Sequence, residues 1–250
     1  MTTTTTSTFL TAEWRYLAML NYEVDPALLN KYVPSGTELD RWNGKLFVSL
    51  VGFRFLNTKV FGMGIPFHRD FDEVNLRFYV RRQAGSEVRR GVVFIREIVP
   101  RWAIATVARV VYNEKYVALP MRHRVEPRRD AKSAGINSGG MNVEYGWKTK
   151  RGWNKLTLST AGEPALPQEG SEEQFITEHY WGYAAQRDCG CVEYRVEHPS
   201  WRVWSAPDAR FAGDMEEHYG SELAAVLKTR PASAFLAEGS EVTVRKGSRL

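Results

Sequence analysis

The residues best equipped for chemistry crowd into one segment, Tyr112-Asn113-Glu114-Lys115-Tyr116, followed closely by Leu119-Pro120-Met121-Arg122-His123. A lysine attacks a ketone when desolvation or a nearby cation lowers its pKa, which makes Lys115 a candidate for Schiff-base chemistry. It reads equally well as a surface lysine after a glutamate, and on a strand it would face away from both neighbours. His123, His68, His179 and His198 are further acid–base groups. His179, in Glu-His-Tyr-Trp-Gly-Tyr, reads as a packed, hydrogen-bonded core group. Glu73 opens the clearest alternating segment. There Val74, Leu76, Phe78 and Val80 point one way, and Asn75, Arg77, Tyr79 and Arg81 the other. That polar face either meets water or lines the inside of a barrel. In the second case Arg77 presents a planar fork to a carboxylate.

Other chemistries lack their signatures. There is no HExxH pair for a metal hydrolase and no GxSxG elbow for an α/β-type esterase. The glycine-rich Phe61–His68 stretch is not followed by GK[ST], so it reads as a flap or a long hairpin connection. Cys189 and Cys191 form Cys-Gly-Cys, where a disulfide would be strained, and two cysteines fall short of a four-ligand zinc site unless histidines join from elsewhere. They read as free thiols in a reducing compartment. No metal and no cofactor is expected. The net charge of +5 is spread without a long basic run, and no zinc-finger, RRM or helix-turn-helix signature appears, so no nucleic-acid partner is expected. The start, MTTTTTSTFL, lacks a signal peptide's basic and apolar regions. No run approaches the ~20 apolar residues of a membrane helix. The expectation is a cytoplasmic protein with no membrane partner, residues 1–10 forming a disordered lead-in and 11–250 a single domain.

The elements that must position these residues are mostly strands. Thr11–Tyr22 fits a helix face through Trp14, Leu17 and Leu20, or a strand. Asp25-Pro26 opens a short helix, with Asp25 as cap and Pro26 at the first position. Asn43-Gly44 suits a hairpin turn, and Leu46–Phe55 is apolar on both faces, as in a covered central strand. Gly85–Arg90 reads as a turn and Val92–Val99 as a strand. Trp102–Val111 has helix-favouring alanines. Arg124–Gly140 reads as a connection, and Met141–Lys150 with Trp153–Thr160 as a hairpin. Ser171 to Gln174 is a capping box opening a short helix that ends in the Glu178–Tyr183 phrase. Val192–His198 and Trp201–Trp204 are strands, Pro207–Leu227 is helical in stretches, and Ser233–Leu236 and Glu241–Arg245 close the sheet. The class is α+β, mainly β.

Several phrases together resemble the YqjF-like domain of unknown function, a branch of the acetoacetate decarboxylase-like superfamily. They are VDPALLNKYVPSGTELDRWNGKLFVSLVGFRF, FDEVNLRFYVR, VVFIREIVP, YNEKYVALPMRH, EHYWGY and VEHPSWRVW, in that order and across about Trp14 to Trp204. The resemblance implies an antiparallel conical or barrel-like sheet around an internal cavity, with short peripheral helices. Homo-oligomerisation is an expectation that the resemblance alone carries. Acetoacetate decarboxylases form a Schiff base on one of two paired lysines, helped by a strand glutamate and an arginine near the N-terminus. The matched phrases put Tyr116 at the Schiff-base position, Lys115 where a proline would stand, Glu73 at the strand glutamate and Arg15 at the N-terminal arginine. The paired lysines are missing. The expected function is therefore a cavity protein binding a small keto acid or other carbonyl or carboxylate compound without Schiff-base decarboxylation. Tyr116, Glu73 and Lys115 are the candidate reactive groups, and Arg15, Arg77 and His123 the candidate ligand contacts. The alternative is a lyase of decarboxylase, hydratase, dehydratase or isomerase type, with Glu73 and Tyr116 moving protons.

Overall fold

The computed structural model describes residues 7–64, 66, 68–100, 115–128 and 140–250. Fifteen strands are described: β1 (Thr8–Glu23), β2 (Glu38–Leu39), β3 (Phe47–Val60), β4 (Met63–Gly64), β5 (Phe71–Ala84), β6 (Glu87–Val99), β7 (Tyr116–Ala118), β8 (Met121–Pro127), β9 (Met141–Thr149), β10 (Gly152–Ala165), β11 (Trp181–Ala185), β12 (Cys191–Glu197), β13 (Val203–Ala212), β14 (Ser233–Arg245) and β15 (Ser248–Arg249). The α-helices are short: α1 (Pro26–Leu29), α2 (Glu172–Thr177), α3 (Glu216–Tyr219) and α4 (Ser221–Leu227).

All these strands belong to one sheet. Its middle runs β12-β11-β6-β5-β3-β1-β14, and a direct β12–β14 pairing joins the two ends into a ring of strands. Beyond β14 the sheet continues as an arm, β13-β10-β9-β8. Pairing is antiparallel except where β6 meets β11 and β7. The arm packs back on the ring. Val74, Leu76 and Phe78 of β5 share a core with Tyr145 and Trp147 of β9, Leu156 and Leu158 of β10, and Leu223 and Leu227 of α4. Gly52 of β3 permits this approach, since an added Cβ would lie 2.6 Å from the Tyr145 ring. The opposite face of the ring strands carries a second core that includes Leu17, Met19, Phe53, Phe55, Phe71 and Tyr79. With both faces covered, β3 and β5 are buried nearly throughout their paired length, which accounts for the near-continuous apolar run of β3.

Bulges decide which side chains face inward. In β1, Ala12 and Trp14 share a face with Leu17 and Met19, which simple alternation forbids. Tyr16, at φ 55°, lies in the register break between Arg15 and Ala18 and takes up the extra residue. The same device in β6 leaves Ile95 between the Leu76–Arg96 and Arg77–Phe94 pairs. Phe94 and Glu97, three residues apart, thereby reach the same cavity. Gly239 bends β14 at φ 81°, where any Cβ would collide with the Trp14 carbonyl.

The short helices start as their caps dictate. The Asp25 carboxylate accepts from the Ala27 amide at 2.7 Å ahead of α1. The Ser171 hydroxyl accepts from Gln174 N at 3.2 Å, and the Gln174 side chain accepts in turn from Gly170 N. Several boundaries differ from the sequence reading. β1 is a strand and already includes Thr8–Leu10. β6 begins at Glu87, so the turn is shorter than Gly85–Arg90. β8 extends to Pro127, into the stretch read as a connection. Helix α2 stops at Thr177, and Trp181–Ala185 is a strand instead of a helix end. Pro207–Ala212 belongs to β13 and is not helical: Ala206 and Pro207 of β13 oppose the single Thr160 of β10, a bulge that needs no ladder amide from the proline. Ser233–Leu236 and Glu241–Arg245 are two parts of the single bent β14. The helix expected over Trp102–Val111 and the phrase Tyr112–Glu114 lie outside the described residues. Cys189 and Cys191 are free thiols, the first exposed and the second buried. No described helix is long and apolar enough to cross a membrane.

Candidate functional site

The ring strands enclose a cavity of about 140 Å³. Its polar wall is written along β5. Glu73, Asn75 and Arg77 occupy alternate positions and therefore point inward together. Beside Asn75 stands Glu97 of neighbouring β6, and next to Glu97 stands Tyr116 of β7. Thr177, the last residue of α2, and His179 just after it close this end.

Glu73 is the centre of the polar cluster. The Asn75 amide donates to its Oε1 at 2.9 Å and the Tyr116 hydroxyl to its Oε2 at 3.2 Å. The carboxyl is only 2% exposed. Burial lifts its pKa to about 7, against the downward pull of Asn75, Tyr116 and the Arg77 guanidinium. A carboxyl poised there exchanges protons near neutrality, which suits general acid–base work. Arg77 is also buried. One guanidinium nitrogen donates to the Ile176 carbonyl at 3.3 Å and lies 3.9 Å from the Met19 sulfur. Its Nε has no hydrogen-bond partner, and among the described residues no carboxylate lies within ion-pair distance of it. A buried cation so placed costs free energy until an anion joins it.

His179 sits between the rings of Tyr79 and Phe175, at 4.7 and 5.2 Å. Asp40 approaches its Nε2 at 3.8 Å, beyond hydrogen-bond reach, while the Arg90 guanidinium sits 2.8 Å from that carboxylate. Burial pushes the imidazole down to about 4, against the upward pull of Asp40. It is packed as the sequence suggested, but neither ring nitrogen has a hydrogen-bond partner among the described residues.

Of the six residues singled out from sequence, three meet here: Tyr116, Glu73 and Arg77. The other three stand elsewhere. Lys115 is exposed, with its ammonium 5.1 Å from the Tyr32 ring centre, because on successive positions it and Tyr116 face opposite ways. Arg15 lies on a shallow outer groove with Ser240 and Glu241; its guanidinium is held by Glu13 at 2.8 Å and by the Gly239 carbonyl, while the adjacent Trp14 takes the cavity side. His123 bonds Asp72 at 2.9 Å on the other face of β5. Asn75, Glu97 and His179 were not proposed as site residues. Alternation from Glu73 marks Asn75, but only the β6 bulge brings Glu97 round, and nothing local to its own segment marks His179. Among the described residues no group of three or more His, Cys, Asp or Glu side chains is arranged to hold a metal.

A family model for DUF2071, described as an uncharacterized conserved protein, matches residues 11–241. The chain belongs to the DUF2071 family. Within curated proteins, YqjF of Bacillus subtilis (strain 168) is 37% identical over 68 residues, which is 27% of this chain and 28% of YqjF. That match thus spans under a third of either protein. The fold of this DUF2071 member is similar to that of acetoacetate decarboxylase from Legionella pneumophila, with TM-score 0.65 and 13% identity over 98% of this chain and 88% of that one. It is also similar to the enduracididine biosynthesis enzyme MppR in complex with pyruvate, with TM-score 0.66 and 11% identity over 98% and 91%. At such identities the likeness is one of fold: a mainly β sheet with short helices, as in the acetoacetate decarboxylase-like superfamily.

Proposed function

We propose that this DUF2071 protein binds a small keto acid, or a similar carbonyl or carboxylate compound, in the cavity between Arg77 and Glu73. The observation that carries this is the buried Arg77 guanidinium with no carboxylate partner among the described residues. A ligand carboxylate would meet it bidentately and supply the missing charge. The complex of MppR with pyruvate shows that a related fold accepts such a compound. In this reading the binding needs no Schiff base; Lys115 is exposed, with its ammonium over the Tyr32 ring. Calorimetric titration with pyruvate and longer 2-oxo acids tests the reading, with Arg77→Met expected to weaken binding at least tenfold. Equal affinity in that variant would refute the anchor. Borohydride treatment with a bound keto acid should leave Lys115 unmodified, and an adduct there, absent in Lys115→Ala, would restore the imine route.

A second reading has its own support. Glu73, with its pKa near 7 and its bond to Tyr116, is equipped to take a proton from the carbon beside a carbonyl and return it. This is the lyase or isomerase alternative. Proton NMR in deuterium oxide would then show protein-dependent loss of the C3 signal of a bound 2-oxo acid, abolished in Glu73→Gln. Binding with no exchange would leave the protein a binder alone.

A further inference from the structure

We infer that the ligand carries a short apolar tail of a few carbons, so that acids as small as pyruvate fill only the head of the site. The inference rests on the cavity reading above and adds the ligand class. The cavity wall changes character between Glu73 and Phe71, one strand repeat or about 7 Å along β5. On the head side lie Glu73, Asn75, Arg77, Glu97, Tyr116 and His179. On the other side the described lining is mostly apolar, although Thr58, His68 and His198 also border the cavity. Phe71 stacks on Phe55 at 4.5 Å, and Leu10, Val60 and Val244 lie beyond them. Phe9, Tyr194, Val196 and Val244 form a small core of their own, separate from the two larger ones, and border the cavity. Three ring strands build this end in register, with Leu10 opposite both Val60 and Val244.

An apolar void beside a charged head selects for a molecule with the same division. Water held against the phenyl and aliphatic wall would find few partners, and displacing it by a hydrocarbon is favourable. An apolar cavity of about 150 Å³ takes one benzene ring; the whole cavity here, polar head included, offers about 140 Å³. The size thus admits a short tail and excludes a long acyl chain. The head contacts orient the acid, and the tail contacts supply most of the discrimination between acids.

The test uses the full chain and a series of 2-oxo acids: pyruvate, 2-oxobutanoate, 2-oxohexanoate, phenylpyruvate and 2-oxododecanoate, each titrated by calorimetry at one pH and salt concentration. Affinity should rise roughly fourfold per methylene as far as the six-carbon acid. Phenylpyruvate and the twelve-carbon acid should both bind less well than the six-carbon one. Val244→Phe, which fills the far end, should flatten the rise, with its melting temperature checking that it folds. Equal affinity for pyruvate and 2-oxohexanoate in the unmodified protein, or rejection of the longer acid, would overturn the inference while leaving the carboxylate anchor in place. A rise with chain length that survives Arg77→Met undiminished would overturn the anchor and support the tail. No binding of any acid in the series would overturn both.

Discussion

Two carboxylates one residue apart on β5 live in different worlds. Asp72 projects from one face, where His123 meets it at 2.9 Å and Arg54 at 3.7 Å. Glu73 projects from the other, where a phenol, an amide and the more distant Arg77 are its polar company. Asp72 has a cation to balance it; Glu73 has donors but, among the described residues, no ion pair, and burial raises its pKa to about 7. The pleat of one strand is enough to turn the same functional group into a charged tie on one side and a proton-exchanging group on the other. Sequence adjacency says nothing of this; the face does.

The sharpest way to break the comparison is to neutralise each side in turn. Glu73→Gln should lower deuterium exchange of a bound keto acid by at least about 100-fold, while Asp72→Asn should leave the rate within about twofold. Equal losses in the two would erase the distinction. Stability against pH comes next. Glu73 binds its proton more tightly folded than unfolded, so folded stability falls as pH rises from about 4.5 to about 7. His179 is held neutral, its pKa down from 6.5 to about 4, so its contribution rises with pH across that window. The two slopes oppose each other in the unmodified protein. Glu73→Gln should unmask the rising slope and gain on the order of 2 kcal/mol relative to the unmodified protein between pH 5 and pH 8, read from urea melts. His179→Gln should unmask the falling one. Tyr116→Phe removes a donor that favours the charged carboxylate, so the Glu73 pKa should climb further, by less than about one unit, followed by carbon NMR of the labelled glutamate. The smallest effect belongs to the outer face. His123 is one-third exposed, and His123→Ala should cost under about 1 kcal/mol and leave ligand affinity unmoved.

Much of this arrangement was legible in the residues. The alternation of β5 put Asn75 and Arg77 on one face, the two-sided apolar run of β3 announced a covered strand, and the Ser171–Gln174 cap formed as its chemistry requires. The bulges were not legible. Tyr16 shifts the inward face of β1 by one, so Trp14 and Leu17 are both inward at a spacing that also fits a helix turn. Ile95 does the same for Phe94 and Glu97. Arg15, expected from the resemblance as a ligand contact, and Lys115, expected as a reactive group, each sit one position from the inward residue, Trp14 and Tyr116. In strands, a chemically persuasive residue and its silent neighbour differ only by a half-turn of the pleat. His179 was hidden for a different reason. It gains its setting from Tyr79, Phe175 and Asp40, which lie far from it in sequence or across a helix.

The hairpin of β11 and β12 is spliced into the ring by very little ladder. It meets β6 through Trp181–Gly91 and Gly182–Val92, and β14 through Val196–Val244 and Glu197–Thr243, whereas β1, β3 and β5 are laced together along most of their length. It behaves as a loose stave among tight ones. Its amides should trade hydrogen for deuterium well before those of β3, since parting it from its neighbours on either side breaks only a few ladder bonds.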